Sequence, residues 1–116
     1  MELGARQKMV EGMKSLLGGS SFIYGGYRHE PSSLPYGNYA EQAGDYIRAD
    51  DRTLVKVHSY IVRIVTESKD FALEDKVEDL FDELEIPYTK ITAEDLFKQH
   101  VFCAEWIIDI IDQEDE

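Results

Sequence analysis

Leu54-Val55-Lys56-Val57-His58-Ser59-Tyr60-Ile61-Val62-Arg63-Ile64-Val65-Thr66 decides the fold of this chain. Val55, Val57, Ile61, Val62, Ile64, Val65 and Thr66 are β-branched, which favours a strand over a helix. Alternation puts Leu54, Lys56, His58, Tyr60, Val62, Ile64 and Thr66 on one face, and Val55, Val57, Ser59, Ile61, Arg63 and Val65 on the other. Neither face is polar throughout, and a strand apolar on both faces is expected to be covered on both. One helix layer covers only one of them, so the second is expected to meet another subunit.

Working outward, Glu67-Ser68-Lys69-Asp70 ends the strand, with Ser68 or Asp70 available as a helix cap. A helix is expected from about Asp70 to Glu85. Leu73, Val77, Leu80, Phe81 and Leu84 form its apolar stripe, and Asp75, Glu78, Asp79, Asp82 and Glu83 its outer face, offset only by Lys76. Glu74 and Asp75 suit the positive end of the helix dipole. Pro87 ends the helix, and a chain reversal at Ile86-Pro87-Tyr88 follows. Tyr88 to Ile91 reads as a short strand, Thr92 to Leu96 as a helical turn or a tight loop, and Val101 to Ile111 as the last strand. Asp112 to Glu116 is an acidic tail expected to fray.

Upstream, the three- and four-residue steps between Met9, Val10, Met13, Leu16 and Leu17 suit a helix stopped by Gly18-Gly19. Ser21 to Tyr27 reads as a short strand closed by glycines, Arg28 to Ser33 as a polar loop, and Leu34 to Tyr39 as a second short strand. Pro35 places that strand's start at an edge. Ala40 to Arg52 shows no clear period and is expected to be a long mobile loop, with Tyr46-Ile47 the only strand-like pair in it. The pattern is a single α+β domain over 1–116, in the order α-β-β-β-α-β-β. It has a mainly antiparallel sheet of about four to five strands flanked by the two helices.

Composition restricts function. The 24 acidic residues against 12 basic ones leave a net charge of −12, which disfavours gripping a phosphate backbone. No apolar run is long enough to span a bilayer, and the charged N-terminus lacks the apolar core of a signal peptide. The single cysteine, Cys103, cannot form an internal disulfide, so synthesis in a reducing cytoplasm is the default. His29, His58 and His100 lack zinc-ligand spacing, Cys103 reads as a buried mid-strand thiol, and neither glycine pair continues into a phosphate loop. No nucleophile–base constellation is visible, so no catalysis, metal or cofactor is expected.

The chain contains, in order, Phe22-Ile23-Tyr24-Gly25-Gly26-Tyr27, Leu34-Pro35-Tyr36-Gly37-Asn38-Tyr39, Ala49-Asp50-Asp51-Arg52 and Ser59-Tyr60-Ile61-Val62-Arg63-Ile64. Thr66-Glu67-Ser68-Lys69-Asp70, Leu73-Glu74-Asp75-Lys76-Val77-Glu78 and Leu84-Glu85-Ile86-Pro87-Tyr88 follow. In this order and spacing they resemble the small tail terminator or tail-completion (head–tail joining, minor tail) proteins of long-tailed bacteriophages and prophages. The chain departs from that pattern at Arg52, where lysine is frequent, and at Val65, where an aromatic is common.

The resemblance implies a structural virion protein without catalytic residues, made in the host cytoplasm and ending in the neck between tail and head. It implies a hexameric ring that caps the tail tube, meets the tube protein and the head-completion or stopper protein, and lets DNA pass through its lumen without sequence-specific binding. Arg48, Asp50, Asp51 and Arg52 in the 40–52 stretch, with Val57, Ile61, Arg63 and Val65 on the long strand, are the expected subunit or partner interface. An alternative from another class is a small acidic inhibitor that mimics nucleic acid and occupies a basic DNA-binding protein.

Overall fold

The structure, a computed structural model, describes residues 4–18, 22–26, 34–49, 52–96 and 101–112, with the backbone path alone at 43–49, 52–56, 92–96 and 111–112. The order is α1 (Ala5–Leu16), β1 (Phe22–Tyr24), β2 (Tyr36–Ala49), β3 (Arg52–Thr66), α2 (Phe71–Glu83), β4 (Tyr88–Leu96) and β5 (Val101–Asp112). The strands make one five-stranded sheet, β1-β2-β3-β5-β4. The α+β class and the order of elements read from the sequence are those observed. β1 runs parallel to β2, and every other pairing is antiparallel.

The long strand is β3, and it sits at the centre of the sheet. Its even face goes to the helices: Tyr60, Val62 and Ile64 are buried with Met9, Met13 and Leu17 from the α1 side, Val77 and Phe81 of α2, and Trp106 and Ile108 of β5. Each such side chain contributes roughly 1.5–3 kcal/mol by leaving water. Trp106 is fully buried, and its ring meets Phe81 edge-on at 6.2 Å. Gly12 is where the helices touch, since a methyl group there would stand 2.6 Å from Leu80 Cδ1. At the head of α2, the Asp70 carboxylate accepts from Leu73 N–H at 3.0 Å, so Asp70 rather than Ser68 is the cap.

Two stretches differ from expectation. Within the 40–52 region, residues 40–49 and Arg52 are strand rather than loop. β2 continues to Ala49 and β3 begins at Arg52, with Arg48 paired to Thr53 and Ala49 to Arg52. Register shifts between Gln42 and Asp45 and between Ile47 and Arg48 break the two-residue alternation, which is why the sequence shows no strand period there. Likewise Thr92 to Leu96 is neither helical turn nor tight loop but the second half of β4. A shift between Lys90 and Thr92 hides its alternation. Of the tail expected to fray over 112–116, Asp112 instead belongs to β5, paired with Lys56, and residues 113–116, like the expected loop at 28–33, lie outside the described residues.

Candidate assembly surface

Both helices pack on one face of the sheet. The other face carries, along β3, Val57, Ser59, Ile61, Arg63 and Val65, and across it their partners from β2 and β5. Ile61 stands between Ala40 and Ile107, Ser59 between Gln42 and Asp109, and Arg63 between Asn38 and Glu105. Among the described residues no helix lies on this face. Val57, Ile61, Arg63, Glu105, Ile107 and Asp109 are half-buried, while Ser59 and Val65 are buried.

The polar groups there are matched within the sheet. Ser59 Oγ donates to Asp109 Oδ1 at 2.7 Å, and Arg63 Nε donates to Asn38 Oδ1 at 3.2 Å. The face thus has an apolar centre with tethered polar and charged groups around it. The structure therefore brings Val57, Ile61, Arg63 and Val65 onto one face. Arg48 and Arg52 lie at the paired ends of β2 and β3, away from that centre, and Asp50 and Asp51 lie outside the described residues.

The helix face holds a charged cluster that sequence reasoning missed. Glu74, read above as a dipole-favoured acid, is only 3% exposed. Its Oε1 accepts from Lys69 Nζ and from Lys90 Nζ, each at 2.7 Å. Burial pushes the Glu74 carboxyl up, but the hydrogen bonds and charges of the two lysines outweigh it and hold the group below the ordinary carboxylate range. The Glu74 hydrogen bond in turn raises Lys90, against the opposing effect of burial. Glu78, expected on the solvated face, is half-buried and accepts the Trp106 indole N–H at 2.8 Å. The signal was present, because Glu74 shares the helical stripe of Val77, Phe81 and Leu84.

At the other side of the helix layer, Tyr39 stacks on Phe22 and meets Tyr24 and Tyr60 edge-on. Arg6 Nη1 donates to the Tyr39 hydroxyl at 2.9 Å. Burial, then the Glu41 carboxylate, pushes the Tyr60 hydroxyl up. His58 Nδ1 lies 2.7 Å from Glu41 Oε2. Cys103 is buried in β5, as its mid-strand position suggested. Among the described residues no group of three potential metal ligands comes together, and His29 and His100 lie outside them. No described helix is long and apolar enough to cross a membrane.

No protein-family model matches the chain, and no curated protein matches it. Among solved structures, a chain of the virion of a native gene transfer agent particle is similar at 11% identity and a TM-score of 0.49. The match covers 96% of this chain and 92% of that one.

Proposed function

We propose that this chain is a structural protein of a phage-like virion, acting as a tail terminator or tail-completion protein. In this reading its copies close into a ring, hexameric by the resemblance, that caps the tail tube and receives the head-side stopper protein. The observation that carries it is the one-sided helix layer. It leaves Val57, Ile61 and Ile107 half-exposed at the centre of the opposite face, in a chain whose motifs follow the order of that family. Apolar side chains on a sheet face with no helix of their own are suited to a partner surface. We assign that face to the tube or stopper protein, with the charges of Arg63, Glu105 and Asp109 at its border. The net charge of −12 suits a neck through which DNA passes without being held.

The test is assembly. Light scattering and negative-stain electron microscopy should show a ring, and the protein should co-sediment with purified tail tubes. A chain that stays monomeric at high concentration and has no affinity for tubes refutes the reading. Tight, salt-sensitive capture of a basic DNA-binding protein, with none of tail proteins, would favour the inhibitor alternative instead.

A further inference from the structure

The subunit has two unlike sides. One is bordered by β1 and α1. Arg6 reaches Tyr39 of β2, and Leu17 and Phe22 both lie against Gly37. The other is bordered by β4 and α2, where Glu74 binds Lys90 of β4, Glu78 binds Trp106, and Phe81 packs on Tyr88. Since α1 and α2 touch at Gly12 and Leu80, helical spacing fixes what each turns away from the other. The outer flank of α1 is Arg6, Gln7, Val10 and Lys14, with two cations and no acid. The outer flank of α2 is Phe71, Asp75, Glu78 and Asp82; Glu78 is half-buried, bonded to Trp106 and 3.7 Å from the Lys90 ammonium, while Asp75 and Asp82 are exposed carboxylates. The Tyr88 hydroxyl reports the second flank's field, being pushed up by burial and then by Asp82, Glu78 and Asp79.

The sheet edges agree with the helices. Phe22 pairs with Gly37, Gly37 with Ile64, Ile64 with Ala104 and Ala104 with Ala93, so Phe22 and Ala93 lie on one row across the sheet. Tyr24 and Lys90 share another row, through Tyr39, Val62 and Trp106. β4 runs opposite to β1, so β4 of one copy meets β1 of an identically oriented copy antiparallel and without sliding along the strands. Lys90 does not guard this edge as a free charge, because its ammonium is held between Glu74 and Glu78. Large exposed apolar side chains border both sides: Tyr24, 57% exposed, on the β1 side, and Ile91 and Phe71, 43% and 71% exposed, on the β4 side.

We propose that the β4–α2 side of one copy docks against the β1–α1 side of the next, with Asp75 and Asp82 facing Arg6 and Lys14. This rests on the ring reading above and supplies its subunit contact. Like sides repel, acid to acid and cation to cation, so the contact is head-to-tail, the kind that closes into a ring when the rotation allows.

The experiment uses the full chain with two exposed double variants, Gln7→Glu/Lys14→Glu and Asp75→Lys/Asp82→Lys, in light scattering and analytical ultracentrifugation at low salt. The parent forms a ring. Each variant alone loses self-association by at least about a hundredfold, as like charges then face each other. Mixed one to one they reassemble, because the intact faces match and the two reversed faces also match. Circular dichroism and melting temperature close to the parent's show that the variants fold. A parent ring with both variants assembling as the parent does, or with a mixture that fails to reassemble, overturns this contact and leaves the ring reading standing. A parent that stays monomeric overturns both.

Discussion

Replacing Glu74 by alanine should cost more stability than its helical position suggests. Glu74 keeps only 3% of its surface exposed, and one carboxylate oxygen holds both Lys69 and Lys90 at 2.7 Å. Removing one partner of a buried ion pair costs about 3–5 kcal/mol, because the charge left behind is unmatched. Here two ammonium groups would remain facing one another. Both lysine side chains keep about a third of their exposure, 30% and 34%, so they can turn their heads to water. That brings the expected loss to about 2–3 kcal/mol.

For a domain of this size such a loss lowers the melting temperature by about 10 °C. Glu74→Gln keeps an acceptor and should lose about half as much. The sign with pH follows from the lowered carboxyl. The contribution is present above the ordinary value of 4.5 and is lost as pH falls through the lower folded value. The acid limb of the stability curve should therefore flatten in Glu74→Gln. Urea unfolding followed by circular dichroism measures both effects. A Glu74→Ala variant within about 0.5 kcal/mol of the parent, or an unchanged acid limb in the glutamine variant, would refute the clip between α2 and β4.

Three further outcomes are expected. Asp70→Ala removes the cap on Leu73 N–H and should cost about 1 kcal/mol in urea titration, with the sheet intact. Gly37→Ala places a methyl group 2.5 Å from the Arg63 carbonyl oxygen, a backbone atom of the paired strand that cannot turn aside. It should cost about 2–3 kcal/mol and show increased amide exchange along β2 and β3. Ile61→Lys, on the open face between Ala40 and Ile107, should change monomer stability by about 1 kcal/mol or less. The same variant should abolish co-sedimentation with tail tubes, and retained binding would remove that face from the contact.

What the sequence disclosed follows from where a single period governs. β3 and α2 were legible because one requirement, covering Val62 and Ile64 with Val77 and Phe81, acts over many residues in step. The second part of β2, past Tyr39, and the end of β4 were not, because each strand carries a register shift that resets the alternation partway along. Pairing to a neighbour, not local preference, makes them strands. Glu74 and Glu78 were misplaced for a related reason. An acid on a helix reads as solvated unless its partner is visible, and Lys90 lies beyond the chain reversal while Trp106 belongs to the last strand. Of the expected interface residues, the β3 set shares a face as the alternation required, whereas Arg48 and Arg52 lie at the paired ends of β2 and β3, a stretch the sequence presented as a loop.

The distribution of charge bears on assembly more than its sum does. Exposed carboxylates on α2 gain little from isolated pairing and repel one another, a cost that a monomer would have no reason to concentrate on one helix flank. The same chain keeps Arg6 and Lys14 on the opposite side, with no acid on that flank. This separation of charge weakens the isolated subunit slightly and strengthens a contact between unlike sides. If that is their role, assembly should weaken steeply as salt rises past the range where the screening length drops below about 10 Å. The Glu74 cluster, largely removed from water, should hold across the same range. A ring that dissolves with salt while the folded subunit keeps its melting temperature would separate the two kinds of charge in one titration. Parallel losses of ring and fold would show that the flanks serve folding after all.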